Sequence, residues 1–221
     1  MRAAGWDKVF ENSRWGRYPA EDLLRFIARN FYDLPDRSKV RILEVGCGPG
    51  ANLWYIAREG FETHGFDGSQ VALDRAEVRL SEENVRAMLI RGDAVHLPYP
   101  DDFFDGIFDI ECICANTKAD SKKIIAEVRR VLKPAGHFFS RTFMTGSEGD
   151  GKGEPVGGEP HSYTDIKDSV IQDGHGVLRF TDESEIQDLY SGFKSVAYDY
   201  LIRSDRNRQY EIREWLITCH K

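Results

Sequence analysis

Three acids stand at the ends of short apolar runs in the first half of the chain: Glu44 in RILEVGCGPG, Asp67 in GFDGS and Asp93 in RGDAVHLPY. Gly46, Gly48 and Gly50 follow the first acid and lead through Asn52 into Leu53, Trp54, Ile56 and Ala57, which have helical spacing. Glycines at that spacing let a strand turn sharply into a helix, bringing backbone N–H groups and the positive end of a helix dipole to one spot. The pattern is G-x-G-x-G. It lacks the extra residue of the dinucleotide turn, and no Lys-Ser/Thr follows as a phosphate loop requires. A carboxylate beside such a turn repels a pyrophosphate and welcomes a cation. Asp67 is placed to accept two hydrogen bonds from ribose hydroxyls, a feature that NAD enzymes share. Asp93 is placed to accept from an exocyclic adenine amine, with the Ala94 backbone beside the ring. Together the acids describe a ligand with ribose, adenine and a positive charge, and no phosphate.

Acids on successive strand ends need a scaffold that brings those ends to one edge. The apolar runs predict strands over 41–45, 61–66, 86–91, 105–110 and 136–143, with helices over 51–59, 69–80 and 120–131 between them. Alternation of this kind implies an α/β fold with a doubly wound, mostly parallel sheet. KPAG, with Gly136, reads as a helix stop. Before the core, PAEDLLRFIARNFYDL predicts an amphipathic helix with Glu21 and Asp22 in its first turn, so 1–38 reads as a helical N-terminal cap on a 39–143 core. Residues 144–176 are glycine-rich, and a mobile lid is expected there, with a linker as the other reading. FTDESEIQDLY predicts a helix capped by Thr181 or Asp182 and ended by Gly192. KSVAYDYLIRS and RQYEIREWLITCHK, joined by DRNR, predict an antiparallel hairpin, so 177–221 reads as a C-terminal helix and hairpin that complete a single domain over 1–221.

Composition narrows the class. The 221 residues carry a net charge of −7, with 41% apolar and 12% aromatic residues, which suits a packed core and argues against a broad footprint for nucleic acid or anionic membrane. The absence of N/D-P-P-Y and of a catalytic P-C pair also disfavours a nucleic-acid substrate. The start lacks a secretory apolar region and no stretch approaches membrane-spanning length, so a cytoplasmic protein without a membrane partner is expected. The four cysteines are few and irregularly spaced, as in a reducing compartment. Cys112 and Cys114 lack nearby Cys or His partners, and no metal is expected.

S-adenosyl-L-methionine fits the ligand described above, and here the residues resemble the class I S-adenosylmethionine-dependent methyltransferases. ILEVGCGPG looks like their first motif and GFDGS like their second-strand acid. RGDAVHLPYPDDFFDGIFDI is similar to their adenine and fourth-strand motifs, and VLKPAGHFF to the segment entering their fifth strand. The match runs from about 40 to 143. It implies a Rossmann-like seven-stranded sheet with a reversed final hairpin, and S-adenosyl-L-homocysteine as product. It also implies cofactor contacts from Glu44, Gly46, Cys47, Gly48, Gly50, Asn52, Asp67, Gly68, Ser69, Asp93, Ala94 and Ile110. Cys47 is read as a small turn residue offering its backbone rather than as a nucleophile.

In the N-terminal cap, Trp15 and Tyr18 are candidates to close on the cofactor and Arg14 or Arg17 to meet its carboxylate; core packing explains Trp15 equally well. WGRYP and the lid segment GDGKGE are similar to small methyltransferases of bacterial surface-polysaccharide biosynthesis. That narrower resemblance implies O-methylation of a carbohydrate or envelope precursor. A quinone, lipid or other apolar acceptor, or a non-catalytic adenosylmethionine-binding protein, are the alternatives. A small-molecule acceptor is expected, sugar-linked or anionic, with Arg141, Arg206 and Arg208 as candidate readers of an anion or else plain charged surface. Candidate general bases are His161, Glu111 and Asp109, the last two flanking the end of the fourth strand, where a structural role is the other reading. A monomer or homodimer is expected.

Overall fold

The computed structural model describes residues 2–171 and 176–221. Two helices, α1 (Arg2–Asn12) and α2 (Glu21–Phe31), precede the core. Short apolar runs then alternate with helices: β1 (Arg41–Val45), α3 (Leu53–Arg58), β2 (Glu62–Asp67), α4 (Gln70–Glu82), β3 (Met88–Arg91), β4 (Phe104–Ile110), α5 (Lys118–Val131) and β5 (Leu132–Phe143). The chain continues through β6 (Glu154–Pro155), β7 (Ser162–Thr164), β8 (Leu178–Arg179), α6 (Glu183–Tyr190), β9 (Ser195–Asp205) and β10 (Tyr210–His220). The main sheet has seven strands in the order β3-β2-β1-β4-β5-β10-β9. Strands β1 to β5 pair in parallel, and β10 runs antiparallel to both β5 and β9. Strand order reverses between β1 and β4, which opens a crevice at the carboxyl ends of the strands, where open α/β sheets bind ligands.

Each sheet face is buried by helices. Leu23, Phe26, Ile27 and Phe31 of α2 pack on Ile42, Phe108 and Phe139. On the opposite face Ile124 and Val128 of α5 and Ile186 and Tyr190 of α6 cover Leu43, Ile107, Phe138 and Ile217. Asp182 caps α6 with a reciprocal Glu185 capping box. Among the described residues no helix is long and apolar enough to cross a membrane.

Two expectations change. KPAG does not separate helix from strand: α5 passes into β5 at Leu132, and the kink at Ala135 (φ 61°) and Gly136 lies inside the strand. Leu132 packs so closely on Gly136 that a Cβ there would lie 2.8 Å from its side chain, which is why glycine falls within the strand. The glycine-rich region is also not featureless. β6, β7 and β8 form a three-stranded antiparallel sheet, and a satellite core of Cys114, Phe143, Ile166, Leu178, Phe180 and Ile212 seats it beyond β4, β5 and β10. Residues 172–175 of the expected lid lie outside the described residues.

Candidate functional site

The crevice begins where β1 ends. Gly46, Gly48 and Gly50 adopt φ of 72°, 49° and 75°, a left-handed backbone open to glycine. At Gly46 a side chain is also excluded by space, because a Cβ would lie 2.3 Å from the Cys112 side chain. The turn is held from β2: Gly46 and Cys47 donate backbone N–H groups to the Phe66 carbonyl at 2.8 and 3.1 Å. Asp67 accepts from the Gly48 and Ser69 N–H groups, both at 2.8 Å. Burial raises the Asp67 pKa, and those N–H donors oppose the rise. A carboxylate offers about four acceptor sites, so capacity remains for a ligand. Ser69 caps α4 by accepting from Ala72 N–H, next to Gly68.

Glu44 is the unusual acid. It is 1% exposed, and its Oε1 accepts from Asn52 Nδ2 at 2.5 Å. Its Oε2 is enclosed and has no partner among the described residues. Burial pushes the Glu44 pKa well above the carboxylate range; Asn52 opposes this and the Asp67 and Asp109 charges add to it. An unpaired buried carboxylate oxygen costs free energy until a donor reaches it, and a cationic donor satisfies it best. Asp93 is exposed and its carboxylate accepts from Val95 N–H at 3.2 Å, with Ala94 beside it. Burial raises the Cys47 and Cys112 thiols, which suits packing and backbone roles rather than nucleophilic ones.

The N-terminal cap covers the turn through contacts that sequence reasoning missed. Asp7 of α1 accepts from Ser69 Oγ at 2.5 Å and from Val71 N–H at 3.4 Å. Arg75 donates to the carbonyls of Phe10 and Ser13, and Arg79 to that of Gly16. These clamps bring Phe10 and Trp15 to 3.6 and 3.8 Å from where a Gly48 Cβ would stand. The i, i+4 pair Trp6 and Phe10 was the available signal. Arg17 corrects an expectation. Its guanidinium pairs with Glu82 at 2.8 Å, at the far end of α4 from Ser69. That pair turns the Arg17 side chain toward the Glu82 end of α4, while its carbonyl accepts from Trp54 Nε1 at 2.8 Å beside the start of α3.

Beyond β4 the site changes character. Asp109 is fully buried and accepts from Cys112 N–H (2.8 Å), Ile113 N–H (3.0 Å) and Ser140 Oγ (2.8 Å). Burial pushes its pKa up to about 7, against those donors. Asp109 therefore shapes the turn after β4 and has no access to an acceptor, which removes it as a general base. Glu111 follows in a left-handed conformation (φ 63°) with 37% of its side chain exposed, and Ile110 beside it is half-buried. Crowding of its carboxyl raises the Glu111 pKa; the charge of Glu214 adds to this and Arg141 opposes it. Arg141 lies 3.9 Å from Glu111 and 3.7 Å from Asp22, and grips the fully buried Glu214 in a bidentate pair at 2.7 and 2.5 Å. A guanidinium so committed is not free to read an anionic acceptor, and at 12% exposure it is not plain charged surface either. The signal for Glu214 was an acid in line with Ile212 and Leu216 on one face of an alternating strand.

His161 is placed elsewhere. Its Nδ1 lies 3.1 Å from both oxygens of Asp150, on an exposed turn, and Asp182 feels its charge. Among the described residues it contacts neither Glu111 nor the glycine turn, so the structure does not bring it to the site. Arg206 and Arg208 occupy the tip of the final hairpin, where Arg206 lies over Tyr210.

A doubly wound sheet with a reversed hairpin and a glycine turn between a buried acid and a second-strand acid is the Rossmann-like methyltransferase fold. Residues 42–136 match the family model described as a methyltransferase domain. Over that stretch the chain is similar to S-adenosylmethionine-dependent methyltransferases. It is similar to a sterol 24-C-methyltransferase of Gibberella zeae, 31% identical over 142 residues that cover 61% of this chain and 36% of that protein. A fatty-acid O-methyltransferase of Mycolicibacterium smegmatis is 30% identical over 124 residues, 54% of this chain and 44% of that protein. The chain thus spans less than half the length of the curated relatives it matches. Among solved structures, a SAM-dependent methyltransferase from Methanosarcina mazei aligns with a TM-score of 0.73 at 19% identity, covering 92% of this chain and 98% of that one.

Proposed function

We propose that this chain transfers a methyl group from S-adenosylmethionine to a hydroxyl of a small polar acceptor, in the first instance a carbohydrate or cell-envelope precursor. The observation that carries the reading is the enclosed, unpartnered Glu44 Oε2 beside the glycine turn, which fits the α-ammonium group of that cofactor. Asp67 then receives the ribose hydroxyls, and Asp93 the adenine amine. When bound, S-adenosylmethionine supplies an electrophilic methyl group. The acceptor side is the β4–β5–β10 edge, where the partly open Glu111, backed by the Arg141–Glu214 pair, supports a hydrogen-bonding acceptor. Glu111, raised and partly open, takes the proton of the acceptor hydroxyl as that oxygen attacks, while Arg141 and Glu214 hold it in place. Holding acceptor and cofactor in line supplies the rest of the acceleration.

The names of the curated relatives favour a second reading, an apolar acceptor such as a lipid. A panel of sugar nucleotides, sugar phosphates, quinone precursors and fatty acids, assayed with methyl-labelled cofactor, separates the two. Label transfer to a sugar compound supports the first reading, and transfer only to the apolar members overturns it.

A further inference from the structure

The outer edge of the main sheet is β9, which pairs with β10 on one side only. Its register with β10 is continuous, from Ser195 opposite His220 to Asp205 opposite Tyr210, with no bulge. Edge strands present a row of unpaired N–H and C=O groups, and proteins usually guard them with proline, lysine, a bulge or a covering element. SVAYDYLIRSD contains no proline and no lysine. Instead it exposes two large apolar side chains, Tyr200 at 63% and Ile202 at 44%. Tyr200 stands opposite Trp215 and Ile202 opposite Arg213, on the same face; Asp199, Leu201 and Arg203 alternate onto the other. Asp199 is exposed and has no hydrogen bond or ion pair among the described residues, and Arg203 has only Glu214 at 3.9 Å.

We propose that two copies of this chain join through β9 in an antiparallel two-fold pair centred on Leu201, extending the sheet across both. A two-fold axis normal to the sheet must pass through one residue, because paired residues share a face and the partner strand is identical. Centring on Leu201 sets Tyr200 opposite the partner's Ile202, and the reverse, on one face. On the other face it sets Asp199 opposite the partner's Arg203, again twice. Moving the axis to Tyr200 would put Asp199 opposite leucine and Arg203 opposite Ala197, losing both charge matches. One register therefore joins the exposed apolar pair, the free acid and the edge hydrogen bonds. Opposite charges and apolar side chains facing each other across strands are the contacts that stabilise such a pair.

Sedimentation velocity of the full chain over a range of concentrations tests this. A concentration-dependent dimer is expected. Asp199→Arg, with four like charges then facing one another across the axis, should weaken it by about tenfold or more. Asp199→Arg combined with Arg203→Asp should recover most of the loss, since the swapped charges again meet. Ile202→Lys acts on the opposite face, away from the buried Glu214, and should also give monomer with unchanged circular dichroism. A chain that stays monomeric at every concentration overturns the proposal. So does a dimer that neither Asp199→Arg nor Ile202→Lys weakens, which would place the contact on another surface.

Discussion

The two halves of the sheet's carboxyl edge are built on opposite principles. On the β1–β3 side Glu44, Asp67 and Asp93 stand within fifty residues of one another, and the polar groups are left incomplete: one oxygen of Glu44 is unpaired and Asp93 is open. On the β4–β10 side Asp22, Glu111, Arg141 and Glu214 come from four distant segments and largely satisfy one another. An incomplete set awaits a ligand of fixed chemistry. A self-neutralised set can present one group, Glu111, while its neighbours hold shape. The difference predicts that substitutions on the first side act on cofactor affinity and those on the second act on turnover.

Glu111→Gln is the strongest way to break that division. Loss of a positioned general base costs about a hundredfold to ten-thousandfold in kcat, while cofactor affinity measured by calorimetry should not move. A base works deprotonated, and its pKa is raised, so kcat of the parent should climb with pH along a limb above the usual carboxylate range. The Gln variant should lack that limb. Parent-level turnover in the variant would remove Glu111 from the reaction.

Asp67→Ala tests the other side. Charge-assisted bonds are each worth about 1.5–3 kcal/mol and are not additive. Losing two to ribose hydroxyls should cost about 2–4 kcal/mol of cofactor affinity, well over tenfold. Because Asp67 also accepts from Gly48 and Ser69 N–H groups, Ala should lower thermal stability too, and Asn should fall between. Unchanged affinity in both variants would move the ribose site off β2.

The cofactor side was legible because its information is local. A strand, a glycine turn and an acid lie within ten residues, and the strands at 41–45, 62–67 and 104–110 are bounded by turn residues that mark their ends. What escaped depends on long-range contacts. The clamp from Asp7 to Ser69 joins residues 62 positions apart, and the Arg141–Glu214 pair joins residues 73 apart. No spacing rule links such positions. The identity of Arg141 was visible, but its commitment to Glu214 was not, and this is why it read as either an anion receptor or plain charged surface. The β6–β8 sheet escaped because its strands have two or three residues each, too few to show a period.

Glu44→Gln sharpens the comparison through a change of sign. The neutral amide keeps the shape but loses the charge that a cationic ligand group seeks, so cofactor affinity should fall by about tenfold. Ligand-free stability should rise instead. The folded pKa of Glu44 is raised above its unfolded value of about 4.3. Its contribution is therefore fully present below pH 4.3 or so and is lost as pH rises through the folded value. Gln does not titrate, so thermal melts of the ligand-free variant should decline less between acid and neutral pH than those of the parent. Equal slopes would mean that another donor already neutralises Glu44.

The smallest effect is expected in the turn between β6 and β7, and it bears on whether 144–176 serves as a lid. Gly157 and Gly158 have no heavy atom within 4 Å of where a Cβ would stand, and Gly158 has φ 80°, so a side chain at either position would meet open space. One residue on, the Glu159 carboxylate accepts from Lys118 N–H at 2.9 Å, which ties the turn to the start of α5. The rest of the segment is held by its own core around Phe180 and Ile166. Deleting Gly157 and Gly158 should pull Glu159 from Lys118 while leaving that core and the glycine turn of β1 untouched. A lid that closes over the acceptor edge would then close less often, lowering kcat by a few-fold with no change in cofactor affinity. An unchanged kcat would make the segment a connection between β5 and α6, and a matching loss of cofactor affinity would show that the two halves of the edge are not separate after all.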